Sequence, residues 1–323
     1  MVEFPRPVIV VSKCLGFAAC RWNGVTIPDE NVDRLKPLVE FMPVCAEVDI
    51  GLGVPRSPVR VVAHSEELQL YQPDSGRDCT AEMQQFCAMF LSELDEVDGF
   101  ILKSRSPSCG IRDVKIYPGN DKAALTTKGS GFLGNAVLKR FGYLPIEDEA
   151  RLTNAKLREH FYTRLYARAR FRQVQAKGTM RDLVRYQSEQ KLLLMAYNQS
   201  ELARMGRVVA NLNKKKTSEV FTEYAEHLSS ALAHLPRVTS NINVLMHALG
   251  YFSEKLTSSE KAFFLETLEQ YRSSSIPLSV CIALVQSWII RFKQSYLQRQ
   301  SFFNPYPAEL VSLNDTSRGR PAL

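Results

Sequence analysis

Two rhythms of apolar residues divide this chain. Up to about residue 150, short apolar runs alternate with stretches at helical spacing. Residues 7–11 (PVIVV) form a continuous, β-branched run that reads as a strand buried on both faces. Residues 39–44 and 100–102 give two further strands, each after a plausible helix. Between residues 81 and 97, Met83, Phe86, Phe90, Leu91 and Leu94 recur near helical spacing, which predicts a crossover helix. Strand, helix, strand alternation implies an α/β N-terminal domain with a mainly parallel, Rossmann-like sheet. Gly- and Pro-rich connections at residues 51–55 and 117–120 punctuate it.

From about residue 152 the rhythm becomes helical throughout. Gly and Pro thin out, and amphipathic segments follow at residues 152–174, 180–195, 200–212, 218–235, 238–251, 258–273 and 278–299. Thr217-Ser218 before Glu219 and Thr257-Ser258-Ser259 before Glu260 read as N-caps. The pattern predicts an all-α C-terminal domain, with a first domain over residues 1–172, a second over 173–310 and a flexible tail over 311–323. Poor order is expected from Asn304 onward.

Charge sharpens this division. The net charge of the 323 residues is +7, yet residues 151–216 alone hold sixteen Lys or Arg against four acids, a net +12. The basic character therefore belongs to one internal segment. Phe161, Tyr162, Tyr166, Phe171 and Tyr186 interleave with it, so an RNA contact through 151–216 is one expectation, and a solvated helix face is the other. No apolar run approaches the length of a membrane span, and the first residues, MVEFPRP, lack the basic start of a signal peptide. No membrane association and a cytoplasmic location are expected. The five histidines (His64, His160, His227, His234, His247) have no metal-ligand spacing and read as structural.

Reduced thiols are the rule in the cytoplasm, which shifts the meaning of seven cysteines from disulfides toward metal binding or catalysis. There is no CxxC pair. Cys14, Cys45 and Cys109 each follow one of the predicted strands, and the carboxyl ends of parallel strands share one edge, where ligands bind. Gly16, Ser106, Ser108 and Gly110 give these loops small residues that let backbone wrap around a bulky ligand. Cys87 and Cys281, in apolar helices, read as buried hydrophobes, and Cys79 as an inert helix-start thiol. Three thiolates suit zinc or an iron–sulfur cluster. Cys20 is either a fourth ligand or a neighbouring thiol.

Three motifs make the chain recognisable: CLGFAACRWNG at 14–24, PVCAEVDIGLGVPR at 43–56 and LKSRSPSCG at 102–110. Over about residues 6–165 the chain resembles the TudS family of thiouracil desulfidases. Ala46 stands where that family has proline, Phe17 where it has a smaller residue and Trp22 where it has tyrosine. Residues 180–310 resemble the YbgA-type domain of unknown function. The first resemblance implies a [4Fe–4S] cluster on Cys14, Cys45 and Cys109 with one open iron for the exocyclic sulfur of a thiolated uracil, which is hydrolysed without net redox. On that basis Glu47 is expected to be the acid/base and Ser106 to orient substrate or water. Arg21, Asn23, Arg56, Arg105 and Ser108 are candidates for holding the phosphate of a thiolated nucleotide. The alternatives are a structural zinc or cluster protein supporting an RNA-binding module, and a scaffold with inert cysteines.

Overall fold

The computed structural model describes residues 3–64, 67–119 and 127–311. They divide into two compact units, one over Pro5–Ala169 and one comprising the first residues through Phe4 together with the chain from Arg170 onward. Phe4 therefore groups with the helical unit, where the Arg170 guanidinium lies 4.9 Å from its ring centroid.

The first unit opens with β1 (Val8–Ser12), α1 (Glu30–Leu35), β2 (Glu40–Val44) and the single-turn α2 (Ala46–Asp49). There follow β3 (Arg60–His64), β4 (Glu67–Gln72), β5 (Arg77–Asp78) and α3 (Thr80–Ser92). The unit is completed by β6 (Gly99–Leu102), β7 (Val114–Tyr117), β8 (Thr127–Gly129), α4 (Phe132–Phe141) and β9 (Ile146–Asp148), and it includes the start of α5 (Ala155–Lys177).

Among the described residues, one sheet has the order β2-β1-β6-β9 with every pairing parallel. Inner strands β1 and β6 are buried almost throughout, as their unbroken apolar sequences require. Pro43 sits in β2, an edge strand, where a missing N–H costs no inner ladder bond. The register sets Ser12 opposite Val44 and Leu102 opposite Asp148, so these strands end together on one edge. A second, mixed sheet of order β5-β4-β3-β7-β8 was not expected. Its strands are short and carry exposed polar residues, which hides them from a search for apolar runs. The crossover helix starts at Thr80, whose N–H is capped by Asp78 Oδ1 at 2.9 Å, and ends at Ser92. Leu94 and Val97, read as helical, are buried in the chain beyond it.

The helical unit takes α5 from Arg170 onward, then α6 (Met180–Tyr197), α7 (Gln199–Ala210), α8 (Thr217–Ala231), α9 (Val238–Gly250), α10 (Ser258–Arg272), α11 (Leu278–Arg291) and α12 (Ser295–Gln298). Thr257 and Glu260 form the full capping box at α10. The expected cap at Thr217-Ser218 is absent. Lys216 is the N-cap without a side-chain bond, while Asn211 holds the preceding turn through two bonds to the Lys215 backbone. The single helix read over 278–299 is broken at Lys293, whose φ of 50° is left-handed, and the chain turns Leu297, Phe302 and Phe303 into the core. The chain beyond Asn304 is likewise built in, since Leu310 is buried. Residues 312–323 of the expected tail lie outside the described residues.

The basic segment gives the expected RNA contact no support from its aromatic residues. Phe161, Tyr162, Tyr166, Phe171 and Tyr186 are all buried, so none offers a ring on which a base can stack. Phe171 instead packs on Tyr224, with ring centroids 5.3 Å apart. Several basic side chains serve the fold directly: Arg158 and Arg164 donate to the carbonyls of Leu152 and Leu144, and Arg204 pairs with Glu201. Among the described residues no helix is long and apolar enough to cross a membrane.

One element fixes the loop after β6. Gly131 N, Phe132 N and Gly134 N, at the start of α4, donate to the carbonyls of Gly110, Pro107 and Ser108 at 2.7, 3.2 and 3.1 Å. The approach is so close that a Cβ on Gly134 would lie 2.2 Å from Gly110 O and 2.8 Å from Cys109 O. We expect Gly134→Ala to cost about 1–3 kcal/mol through this overpacking and to speed modification of Cys109 by a thiol reagent. Urea unfolding and labelling kinetics check both. Gly206→Ala, in open space on α7, is the control and should be neutral or mildly stabilising.

Candidate active site

The shared edge of β1, β2 and β6 gathers three loops, and each carries a thiol. Cys14 lies two residues past β1, in a turn that needs the left-handed Gly16 (φ +83°) and is anchored by fully buried Leu15. Cys45 directly follows β2 and caps α2. Cys109 follows β6 on the loop held by α4. There Ser106 Oγ accepts the N–H groups of Ser108 and Cys109 at 3.2 and 3.0 Å.

The thiols feel one another. Burial pushes Cys14 up to about 11, with Cys45 and Glu149 adding to the rise and Lys103 and Arg21 opposing it. Cys20 rises to about 12, again mainly through burial and then through the neighbouring Cys45, whose thiol donates to the Cys20 carbonyl at 3.8 Å. Cys109 is pushed far up by burial, partly offset by the hydroxyl of Ser12. Cys20 thus belongs to the cluster. Cys79, Cys87 and Cys281 are buried in or beside helices. Clustered, buried thiols lose their protons together only against a strong positive partner, and soft sulfur donors suit zinc or iron–sulfur groups. Among the described residues, no three His, Cys, Asp or Glu side chains are arranged to hold a single metal ion.

Polar groups brace this edge in two sets. In the first, Arg56 donates from Nε and from its NH2 group to Glu47 Oε2 at 2.9 and 2.7 Å. Its NH1 group donates to the carbonyls of Cys20 and Gly53 at 3.0 and 2.9 Å. The other oxygen of Glu47 accepts from Ser108 Oγ at 3.0 Å. The second set was not anticipated from the sequence. Lys103 Nζ donates to Glu149 Oε1 and to Ser104 Oγ, the latter at 2.9 Å, while Ser104 N donates to Glu149 Oε2 at 2.8 Å. Lys103 N reaches Ser12 Oγ at 2.8 Å. Lys103 sits inside the third motif, but Glu149 follows β9 in no motif at all, and only the strand order reveals it.

The expected site residues fare differently. Glu47 stands at the thiol cluster. Ser106 is committed as an acceptor to its own loop, and Ser108 faces Glu47 instead. Arg56 is turned inward onto Glu47 and the loop carbonyls, with its side chain only 4% exposed, so it is a brace and not an open anion site. Arg21 is half-buried within electrostatic reach of Cys14, whereas Asn23 and Arg105 are exposed on loops. Trp22, Val25 and Val54 leave an exposed apolar rim on the same loops.

Comparison with known proteins agrees with this division of the chain. The family described as 2-thiouracil desulfurase matches residues 9–149, and the family described as a protein of unknown function, DUF1722, matches residues 191–307. The uncharacterized protein YbbK of Bacillus subtilis is 32% identical over 148 residues, covering 44% of this chain and 95% of that protein. The uncharacterized protein YbgA of Escherichia coli is 25% identical over 146 residues, covering 45% of this chain and 86% of that protein. A solved structure, a [4Fe–4S]-dependent thiouracil desulfidase TudS, aligns with 46% of this chain and 94% of its own at 29% identity and a TM-score of 0.37. Through its first half, with the three thiol loops inside the matched region, this chain belongs to the 2-thiouracil desulfurase family and carries a DUF1722 domain behind it.

Proposed function

We propose that this protein removes sulfur from thiolated uracil compounds at a [4Fe–4S] cluster held by Cys14, Cys45 and Cys109. One observation supports the reading: thiols on three strand-end loops lie within electrostatic reach of one another and of the braced carboxylate of Glu47, inside the region that matches the desulfurase family. The donor set fits such a group, because three soft ligands leave one metal position for substrate. When bound, the cluster supplies a Lewis-acidic iron for the exocyclic sulfur.

The chain's own residues supply the rest. Glu47, fixed by Arg56 and Ser108, takes a proton from the attacking water, which needs a base held within hydrogen-bond reach. Water oxygen bonds to the ring carbon, the C–S bond breaks, and sulfur leaves with the bonding electrons as sulfide. The protons of water end on sulfide, and no electron is exchanged. Ser106 keeps its hydroxyl hydrogen free of its own loop, whose N–H groups it accepts, and can direct it toward the water or the substrate. A phosphate on the substrate would find Arg21 and Arg105, because Arg56 is already engaged. The preferred substrate is accordingly 4-thiouridine monophosphate over free thiouracil.

Anaerobically prepared protein should carry about four irons per chain and release sulfide from a thiouracil compound. Zinc in place of iron, or no sulfide release from the loaded protein, overturns the reading. Cys14→Ala, Cys45→Ala and Cys109→Ala are each expected to lose the iron, whereas Cys87→Ala and Cys281→Ala retain it. Glu47→Gln should keep its iron while kcat falls about 10²- to 10⁴-fold, the usual contribution of a positioned base. Comparing kcat/KM for the nucleotide and the free base tests the phosphate preference, and equal values remove it.

A further inference from the structure

The helical unit carries a basic cavity that desulfuration leaves unused. It has a volume of about 410 Å³ and lies where α7 turns into α8. On α7, Arg204, Arg207, Val208 and Asn211 recur three and four residues apart, which sets them on one face of the helix. Asn211 ends α7 in a left-handed conformation, with φ 43°. Its side-chain amide accepts from the Lys215 N–H at 2.9 Å and donates to the Lys215 carbonyl at 3.0 Å, so the turn returns Lys215 to the same cavity. His227 lines it from α8. Carboxylates fix these groups in place. Glu201, itself buried, accepts from Arg204 at 2.6 Å through one oxygen and meets His227 Nδ1 at 2.7 Å through the other. Lys215 Nζ donates to Glu223 Oε2 at 2.6 Å.

Partly exposed ion pairs add little to stability, so these bonds matter chiefly for where they set the donors. Each uses one donor of a guanidinium or an ammonium, and Arg204 and Lys215 keep others for a ligand. Among the described residues the Arg207 guanidinium has no carboxylate partner. Three permanent cations thus meet two carboxylates, and the charge of Arg207 is left unmatched. We propose that this cavity binds the phosphate of a small phosphorylated molecule of about the size of a nucleoside monophosphate. Arg207 supplies the charge and a planar fork for two phosphate oxygens, and Arg204 and Lys215 add donors on either side. Val208 and Leu212, the latter 87% exposed, offer apolar surface to the organic part. The volume falls within the roughly 300–1,000 Å³ of small-molecule sites. A nucleic-acid strand fits less well, because no Phe, Tyr or Trp lines the cavity to stack its bases. The site stands apart from the thiol loops and does not depend on the desulfidase reading.

Calorimetric titration of the full-length protein with adenosine monophosphate tests this, since that nucleotide is neither substrate nor product of the proposed desulfuration. Saturable binding is expected. Arg207→Ala should weaken it about ten- to a hundredfold, the scale of one lost charge-assisted contact, and Arg207→Lys less. The urea midpoint of Arg207→Ala should stay that of the wild type, because this side chain has no ion pair to lose. Arg105→Ala should bind the nucleotide as the wild type does, which separates the cavity from the thiol loops. The inference fails if adenosine monophosphate does not bind, or if Arg207→Ala binds it with unchanged affinity. It also fails if Arg105→Ala abolishes binding, which locates the nucleotide at the thiol site. A single-stranded oligonucleotide that binds through Arg207 while the mononucleotide does not overturns it as well, and assigns the cavity to a polymer.

Discussion

The Arg56 guanidinium is the constraint on which the arrangement of this site depends. Its four donated bonds reach Glu47, Gly53 and the carbonyl of Cys20, and Glu47 passes the connection to Ser108. One side chain thus links the loops of Cys14, Cys45 and Cys109, which come from sequence positions up to 95 residues apart. Arginine suits this role through its planar fork, which satisfies a carboxylate twice and still has donors for backbone oxygens. Lysine, a point charge, has no equivalent geometry.

Around that link the parallel sheet does the coarse positioning. Because β1, β2 and β6 run the same way and end in register, any residue placed just past a strand arrives at the same edge. The loops then need only fine adjustment, through a left-handed glycine in the first, a one-turn helix in the second and the start of α4 over the third. The helical half follows a separate logic. Its aromatic side chains fill its own core, and Arg185, Arg204 and Lys215 pair with nearby acids. The aromatic side chains of the +12 segment thus give no support to an RNA contact.

What could be read from the sequence follows from how local each signal is. The β1 run and the β6 core declare themselves because full burial leaves no polar interruptions. The thiol loops are equally legible, since each motif sits next to the strand that aims it. The second sheet escapes because β3, β4 and β7 are four to six residues long and polar on one side. Arg56 looked like a substrate contact because a sequence cannot say which way a guanidinium turns. Glu149 was invisible for a related reason: its partner lies 46 residues away, and nothing nearby marks it. The break at Lys293 was missed since its flanks continue an amphipathic pattern that one left-handed residue interrupts.

The three glycines at the Cys109 loop and the apolar rim formed by Trp22, Val25 and Val54 differ in how far a substitution is transmitted. At Gly110, Gly131 and Gly134 a single methyl group would collide with backbone, so any side chain there forces the loop to shift. The rim residues are about two-fifths exposed and bear on no buried bond through their side chains. A substitution at the rim thus changes an exposed surface, whereas one at these glycines displaces the backbone that carries Cys109.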